Sequence, residues 1–202
     1  MEHRAKRGGV TSVGGADPLP KEAVIALRAI LKAEGRLRDL ALFNVGIDTY
    51  LRSIDLVSLK VADVVNPDGK IRASFFVMQR KTKKPVECRL YREAQESIQE
   101  YLCGQAEAGR PVGPRLFPMS TGHYRRLMGD WKALLRWGGH PLPDGNFSTH
   151  SLRKAKPAQI YEETGSLIAC MHLLGQKDPK VTERYLGIDR KAAQEIAAKV
   201  KF

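Results

Sequence analysis

The sequence predicts one mainly α-helical domain with a small antiparallel β-hairpin near its start, an α+β fold. Apolar residues recur at helical spacing along most of the chain. Two short runs rich in β-branched and aromatic residues flank a basic turn. The length of 202 residues, 43% of them hydrophobic, suffices for a packed core, and neither a repeat nor a linker divides it.

Residues 1–18 are basic, Gly-rich and aperiodic, with too little apolar surface to offset ordering entropy. They are expected to form a flexible arm ahead of a single domain over 19–202. Pro20 opens a helix in which Ala23, Ile25, Ala26, Ala29, Ile30 and Leu31 keep helical spacing up to Gly35. A second helix follows over 37–51, its apolar positions being Leu40, Leu42, Phe43, Val45 and Ile47. Asp55, Leu56 and Leu59 suggest a short helix within 53–65, and Asn66-Pro67-Asp68-Gly69 reads as a turn. Strands are predicted over 71–78 and 85–90, joined by Gln79-Arg80-Lys81-Thr82-Lys83-Lys84. Helices resume over 92–107, 121–137, 149–164, 166–174 and 178–185, with loops over 109–118 and 138–146. The tail, 189–202, reads as an amphipathic helix with Ala192, Ala193, Ile196, Ala197 and Val200 on one side.

The formal net charge is +12 and the sequence pI about 9.8, so a polyanion is the leading class of partner, nucleic acid ahead of a membrane surface. No apolar run is long enough to cross a bilayer. The start, Met1-Glu2-His3-Arg4-Ala5-Lys6-Arg7, runs into Gly and Ser instead of a secretory core, so a cytoplasmic protein without membrane contact is expected. Cys88, Cys103 and Cys170 are scattered with no C-x-x-C pair, and His3, His123, His140, His150 and His172 show no zinc spacing. Reduced, structural cysteines and no metal or other cofactor are expected.

Between Lys70 and Arg92 stand eight basic residues (Lys70, Arg72, Arg80, Lys81, Lys83, Lys84, Arg89 and Arg92) against one acid, Glu87. Lysines on a strand edge can serve merely to block edge pairing. The basic density continues, however, in His123-Tyr124-Arg125-Arg126, Lys132 and Arg136. A basic ribbon and a basic helix fit a duplex backbone, which makes double-stranded DNA the expected partner. Arg80, Lys83, Lys84, Arg125, Arg126, Lys154 and Lys156 are the candidate DNA contacts. Base readout stays open, because charge alone carries no sequence information.

His150-Ser151-Leu152-Arg153 follows Phe147-Ser148-Thr149, where Ser148 or Thr149 can cap a helix start. Three residues apart, His150 and Arg153 share a helix face, and the free N–H groups there add to the attraction for a phosphate. Downstream, Leu173-Leu174-Gly175-Gln176 precedes Thr182-Glu183-Arg184-Tyr185-Leu186-Gly187. Upstream, Tyr50-Leu51-Arg52-Ser53-Ile54-Asp55-Leu56 sets an arginine three residues before an acid. In this order and spacing the sequence resembles the catalytic domain of the tyrosine recombinase (phage integrase) family, over about residues 20–200.

The resemblance implies a site-specific DNA recombinase. Arg52, Lys81, His150, Arg153 and Gln176 fall at the family's catalytic positions and Tyr185 at that of the nucleophile, while Asp55 would orient Arg52 or a neighbouring backbone group. Such enzymes cut one strand by attack of the tyrosine on the scissile phosphate. A 3′-phosphotyrosine and a free 5′-hydroxyl result, and the strand is rejoined to another 5′-hydroxyl with neither metal nor nucleotide. The residue types suit that chemistry. A phenol with a pKa of about 10 needs a proton acceptor and strongly neutralised phosphate oxygens. Two arginine forks match the non-bridging oxygens, and a lysine beside DNA, Lys81 or its neighbours Lys83 and Lys84, can protonate the leaving oxygen.

The family has His or Trp where Gln176 stands. Gln still donates an N–H but carries no charge, which predicts reduced activity. Pro157 falls within the helix begun near His150 and either kinks it beside Arg153 or marks a restart after an irregular turn. Family members also carry a separate N-terminal DNA-clamping domain, whereas about 20 residues precede the catalytic region here. The implied substitutes are the basic arm, half a clamp, an accessory DNA-binding protein, or a remnant of function. By family precedent the tail docks on a neighbouring protomer, which implies self-association on DNA; docking on its own domain is the alternative. The competing functions are a catalytically weak or inactive DNA-binding module of the same fold, and a type IB topoisomerase using the same chemistry.

Overall fold

A computed structural model of the chain describes residues 16–142, 146–176 and 178–186. Residues 1–15 of the expected arm and the helix predicted over 189–202 lie outside the described residues.

Helix α1 (Lys21–Ala33) buries Ala23, Leu27 and Leu31, spaced four apart, and exposes Lys21 and Glu22. Helix α2 (Leu37–Thr49) is buried at every residue from Asp39 to Thr49, and so runs through the middle of the fold. Its buried polar groups are matched by partners. Asp39 receives Arg36 at 2.7 Å and Arg38 at 2.9 Å, and Asn44 is bonded by Arg28 and donates to Ser97. The helix ends at Tyr50, whose left-handed φ of 53° turns the chain toward Arg52.

The short helix expected within 53–65 is two separate turns, α3 (Ser53–Leu56) and α4 (Val61–Val64). Between them the backbone is drawn aside by a distant segment. Leu116 N–H donates to the Leu59 carbonyl, Val61 N–H donates to the Pro114 carbonyl, and Lys60 bridges to Arg115. The first strand is also shorter than expected, β1 (Ser74–Met78), because Ile71 pairs back with Val65 across the Asn66–Gly69 turn. Strand β2 (Pro85–Arg89) runs antiparallel to it, in the register Phe75 to Cys88 and Val77 to Val86. Phe75 and Cys88 face the core, while Phe76 and Met78 face out.

Helices α5 (Arg92–Glu107) and α6 (Thr121–Trp137) close the main core around α2. Trp131 meets Phe43 edge-on at 5.6 Å and Tyr124 at 6.2 Å. Helix α7 (Thr149–Thr164) is capped by Ser148, whose hydroxyl accepts from His150 N–H and whose own N–H donates to Ser151 Oγ. Pro157 does not restart it: α7 runs through the proline as one helix, and the Pro157 carbonyl accepts a bond from Cys170 Sγ at 3.2 Å. Helices α8 (Leu167–Leu174) and α9 (Pro179–Leu186) complete the described chain. They sit beside a second, smaller apolar cluster of Tyr50, Ala158, Cys170 and Leu174.

Candidate active site

Arg52 is the residue that starts α3, in extended backbone directly after the left-handed turn at Tyr50. Its half-buried side chain points Nη1 at Gln79 Oε1, 2.9 Å away at the end of β1. The same Gln79 oxygen accepts Thr82 Oγ1–H at 2.8 Å. Asp55 is buried, and its Oδ1 accepts the backbone N–H of Arg80 at 2.9 Å. Of its two expected tasks, then, Asp55 holds a backbone group, and that group lies on the hairpin. The turn between the strands is closed by bonds from Gln79 N–H to the Lys84 carbonyl and from Lys83 N–H to the Gln79 carbonyl. Lys81 stands exposed within this turn.

His150 occupies the first turn of α7 and is exposed. Partial desolvation foremost, then the charges of Arg153, Lys154, Arg52 and Lys81, hold its imidazole below the ordinary pKa. Residues from α3, the hairpin turn and α7 are therefore close enough to share one electrostatic field. Arg153 is 4% exposed, and its Nη2 donates to the Leu174 carbonyl at 3.0 Å, a cation seated on the last carbonyl of α8. Gly175 follows in the left-handed conformation, φ 63°, where a side chain would be strained. Gln176 emerges from that turn and accepts Thr182 Oγ1–H at 2.6 Å, tying the end of α8 to α9. Tyr185 lies in the last turn of α9.

The remaining candidates fall into two groups. Arg80, Lys83 and Lys84 on the hairpin, and Arg125 and Arg126 on α6, are exposed cations. Lys154 and Lys156 are not. Lys154 is buried, and desolvation lowers its pKa against an opposing effect of Asp17. Lys156 is bonded to buried Asp48 at 2.9 Å and lies 3.5 Å from the Tyr91 ring centre. Their surroundings come from elements distant in sequence: Asp17, ahead of α1, acts on Lys154, and Asp48 of α2 and Tyr91 after β2 hold Lys156. Sequence reasoning missed Gln79, Thr82, Thr182 and Asp48, which hold the candidate residues in place. No motif marks them, since each partner is distant in sequence or is an ordinary turn residue. Among the described residues no His, Cys, Asp and Glu side chains gather into a metal-ligand set, and no helix is long and apolar enough to cross a membrane.

Chemically, this is a concentration of donors and positive charge at the start of one helix and the tip of one hairpin. Such a site binds and neutralises an oxyanion. Comparison with known proteins points to the same class. The chain is 29% identical over 155 residues to the probable integrase/recombinase YoeC of Bacillus subtilis (strain 168), covering 75% of this chain and 78% of that protein. It is 26% identical over 153 residues to the tyrosine recombinase XerC of Vibrio parahaemolyticus serotype O3:K6, covering 76% of this chain and 48% of XerC, so it spans about half of that relative's length. In fold it is similar to the XerA recombinase, with a TM-score of 0.69 at 18% identity over 92% of this chain and 66% of XerA. A post-cleavage complex of the XerH site-specific recombinase with palindromic difH substrate gives 0.68 at 18% identity, over 93% of this chain and 54% of XerH. Residues 19–191 match the model of the phage integrase family. With that match across most of its length and the fold of the catalytic domain, the chain belongs to the tyrosine recombinases of the phage integrase family.

Proposed function

We propose that the chain is the catalytic domain of a site-specific DNA recombinase that cleaves and rejoins strands through a 3′-phosphotyrosine. The observation that supports this reading is that Arg52 and Asp55 are bonded to residues 79 and 80, next to Lys81, in a chain that carries His150 and Arg153 on the first turns of α7 and matches the phage integrase family. In the proposed reaction the Tyr185 oxygen bonds to the scissile phosphorus and the bond to the 5′-oxygen breaks. The phenol proton passes to the His150 imidazole as proton acceptor. Lys81 supplies a proton to the departing 5′-oxygen. Arg52 and Arg153 neutralise the non-bridging oxygens, a task for which the loss of one preorganised donor typically costs about 10²–10³ in rate. Strand exchange joins ends from two sites, so two or more protomers must meet on DNA. The exposed cations Arg80, Lys83, Lys84, Arg125 and Arg126 would carry the backbone contacts, which weaken steeply with salt.

The test is covalent. Purified protein and its Tyr185→Phe variant are incubated with nicked duplexes from the flanks of the gene and resolved in SDS. A DNA adduct with wild type alone is the expected result. A second reading, a binding module without turnover, is favoured by Gln176, whose amide oxygen is taken up by Thr182. Equal retardation of DNA by both proteins, with neither attached, would establish that reading and sink the first.

A further inference from the structure

We infer that Gln79 is a positioning residue that couples the Arg52 guanidinium to the turn carrying Lys81. The inference deepens the recombinase reading and rests on it. Gln79 is 6% exposed, although it sits at the end of β1 beside a turn of exposed cations. Its one amide oxygen accepts both Arg52 Nη1–H at 2.9 Å and Thr82 Oγ1–H at 2.8 Å, which fills the two lone pairs. Its backbone N–H and carbonyl close the turn onto Lys84 and Lys83. One residue further, the Arg80 N–H is held by buried Asp55. The consecutive residues 79 and 80 are thus gripped from α3, by Arg52 and Asp55, and Lys81 comes next. The bond to Gln79 takes one of the five guanidinium N–H groups and leaves the rest of the fork for a phosphate.

A neutral acceptor is what this place requires. Glutamate would pair with Arg52 and cancel the charge meant for the phosphate. Methionine has nearly the same length and shape but only a weakly accepting sulfur in place of the amide oxygen, so Gln79→Met separates the hydrogen bonds from the packing. Thr82→Val removes only the turn half of the linkage.

The experiment has one arm that needs no DNA. In wild type, the guanidinium ¹⁵N–¹H signals of Arg52, assigned by their loss in Arg52→Lys, should show restricted rotation, and the hydrogen-bonded amides of Arg80 and Lys83 should exchange slowly with solvent. Gln79→Met should average the Arg52 signals and speed amide exchange in the turn about 10-fold or more, while the amides of α2 and α5 keep their rates. Unchanged Arg52 signals and turn exchange would overturn the proposal.

The second arm measures single-turnover cleavage of nicked duplexes from the gene's flanks, with oxygen or sulfur at the bridging 5′ position. A sulfur leaving group needs no proton, so it bypasses Lys81. Gln79→Met should lose about 10²-fold on oxygen, at a DNA Kd within about 3-fold of wild type, and less on sulfur. Thr82→Val should show a smaller loss, confined to oxygen. Equal losses of Gln79→Met on both substrates would overturn the coupling to Lys81, and an unchanged rate would overturn the role altogether. If wild type cuts neither substrate, the recombinase reading falls, and the first arm alone decides whether Gln79 holds Arg52 and the turn together.

Discussion

Arg52, Asp55 and the Lys81 turn are anchored beside the main core, whereas Gln176 and the helix bearing Tyr185 rest beside the small cluster of Tyr50, Ala158, Cys170 and Leu174. The first group is gripped by buried acceptors: Gln79 is 6% exposed and Asp55 2%. The second depends on two short helices, α8 and α9, joined by the Thr182–Gln176 bond and by Arg153 reaching the end of α8. Helices of this length do not persist by their own propensity and take their stability from packing. One half of the candidate site therefore shares the stability of the whole domain, while the other can open at lower cost. In the proposed reaction this division would set Arg52 and the Lys81 turn in the firmly held half and the Tyr185 helix in the half that opens more readily.

The most severe test of this comparison lies in the main core. Trp131 is wholly buried and in contact with Phe43 and Tyr124, so Trp131→Ala should destabilise the domain by about 3–5 kcal/mol. Urea unfolding followed by circular dichroism should show one transition moved to lower denaturant, with amide protection reduced throughout α1, α2, α5 and α6. A loss confined to α6 would mean that the main core is not one cooperative unit.

Leu174→Ala asks the same question of the small cluster, with a smaller and more local answer. The residue is 2% exposed and lies at the end of α8, where its own carbonyl receives Arg153. Removing the side chain should cost about 2 kcal/mol or more locally. Amide exchange should rise in α8 and α9 while the urea midpoint moves much less than for Trp131→Ala. DNA adduct formation should fall further than DNA affinity, because the exposed cations of the hairpin and α6 proposed to hold the duplex backbone are left intact. A midpoint shift matching that of Trp131→Ala would erase the distinction between the two halves.

Much of this arrangement is legible in the sequence where the cause is local. The Pro20 opening of α1, the Ser148 cap before His150 and the basic turn between two β runs all act within a few residues, and α1, α7 and the hairpin form as expected, although α1 turns Leu27 into the core and leaves Ile25 and Ala29 exposed. The failures have long-range causes. Residues 53–65 do not make one helix, because Leu59 and Val61 pair with the 114–116 segment. Lys156 is drawn onto Asp48, 108 residues earlier and buried, and so is not a fully exposed cation like the hairpin residues. Gln79 escapes notice because a glutamine in a turn has no periodicity, and its partner Arg52 is 27 positions away. Motif spacing locates groups that touch a substrate, whereas the groups that hold them still are set by which elements pack together.

The smallest effect bears on whether the rigid half is where phosphate sits. Desolvation first, and then the charges of Arg153, Lys154, Arg52 and Lys81, depress the His150 pKa. An imidazole depressed by folding is protonated more readily in the unfolded chain, whose value is about 6.5. The free protein therefore loses this contribution to stability as pH falls from that unfolded value through the lower folded one. A phosphodiester seated among the same cations offsets their repulsion, so bound DNA should raise the His150 pKa. The proton taken up on binding then makes affinity increase as pH falls across that window. An NMR titration of the His150 ring with and without a cognate duplex reads the shift directly, and Kd measured over the same pH range gives the linked proton. If DNA binds while the His150 pKa stays fixed, the phosphate lies elsewhere, and the gripped half of the site loses its claim to neutralise it.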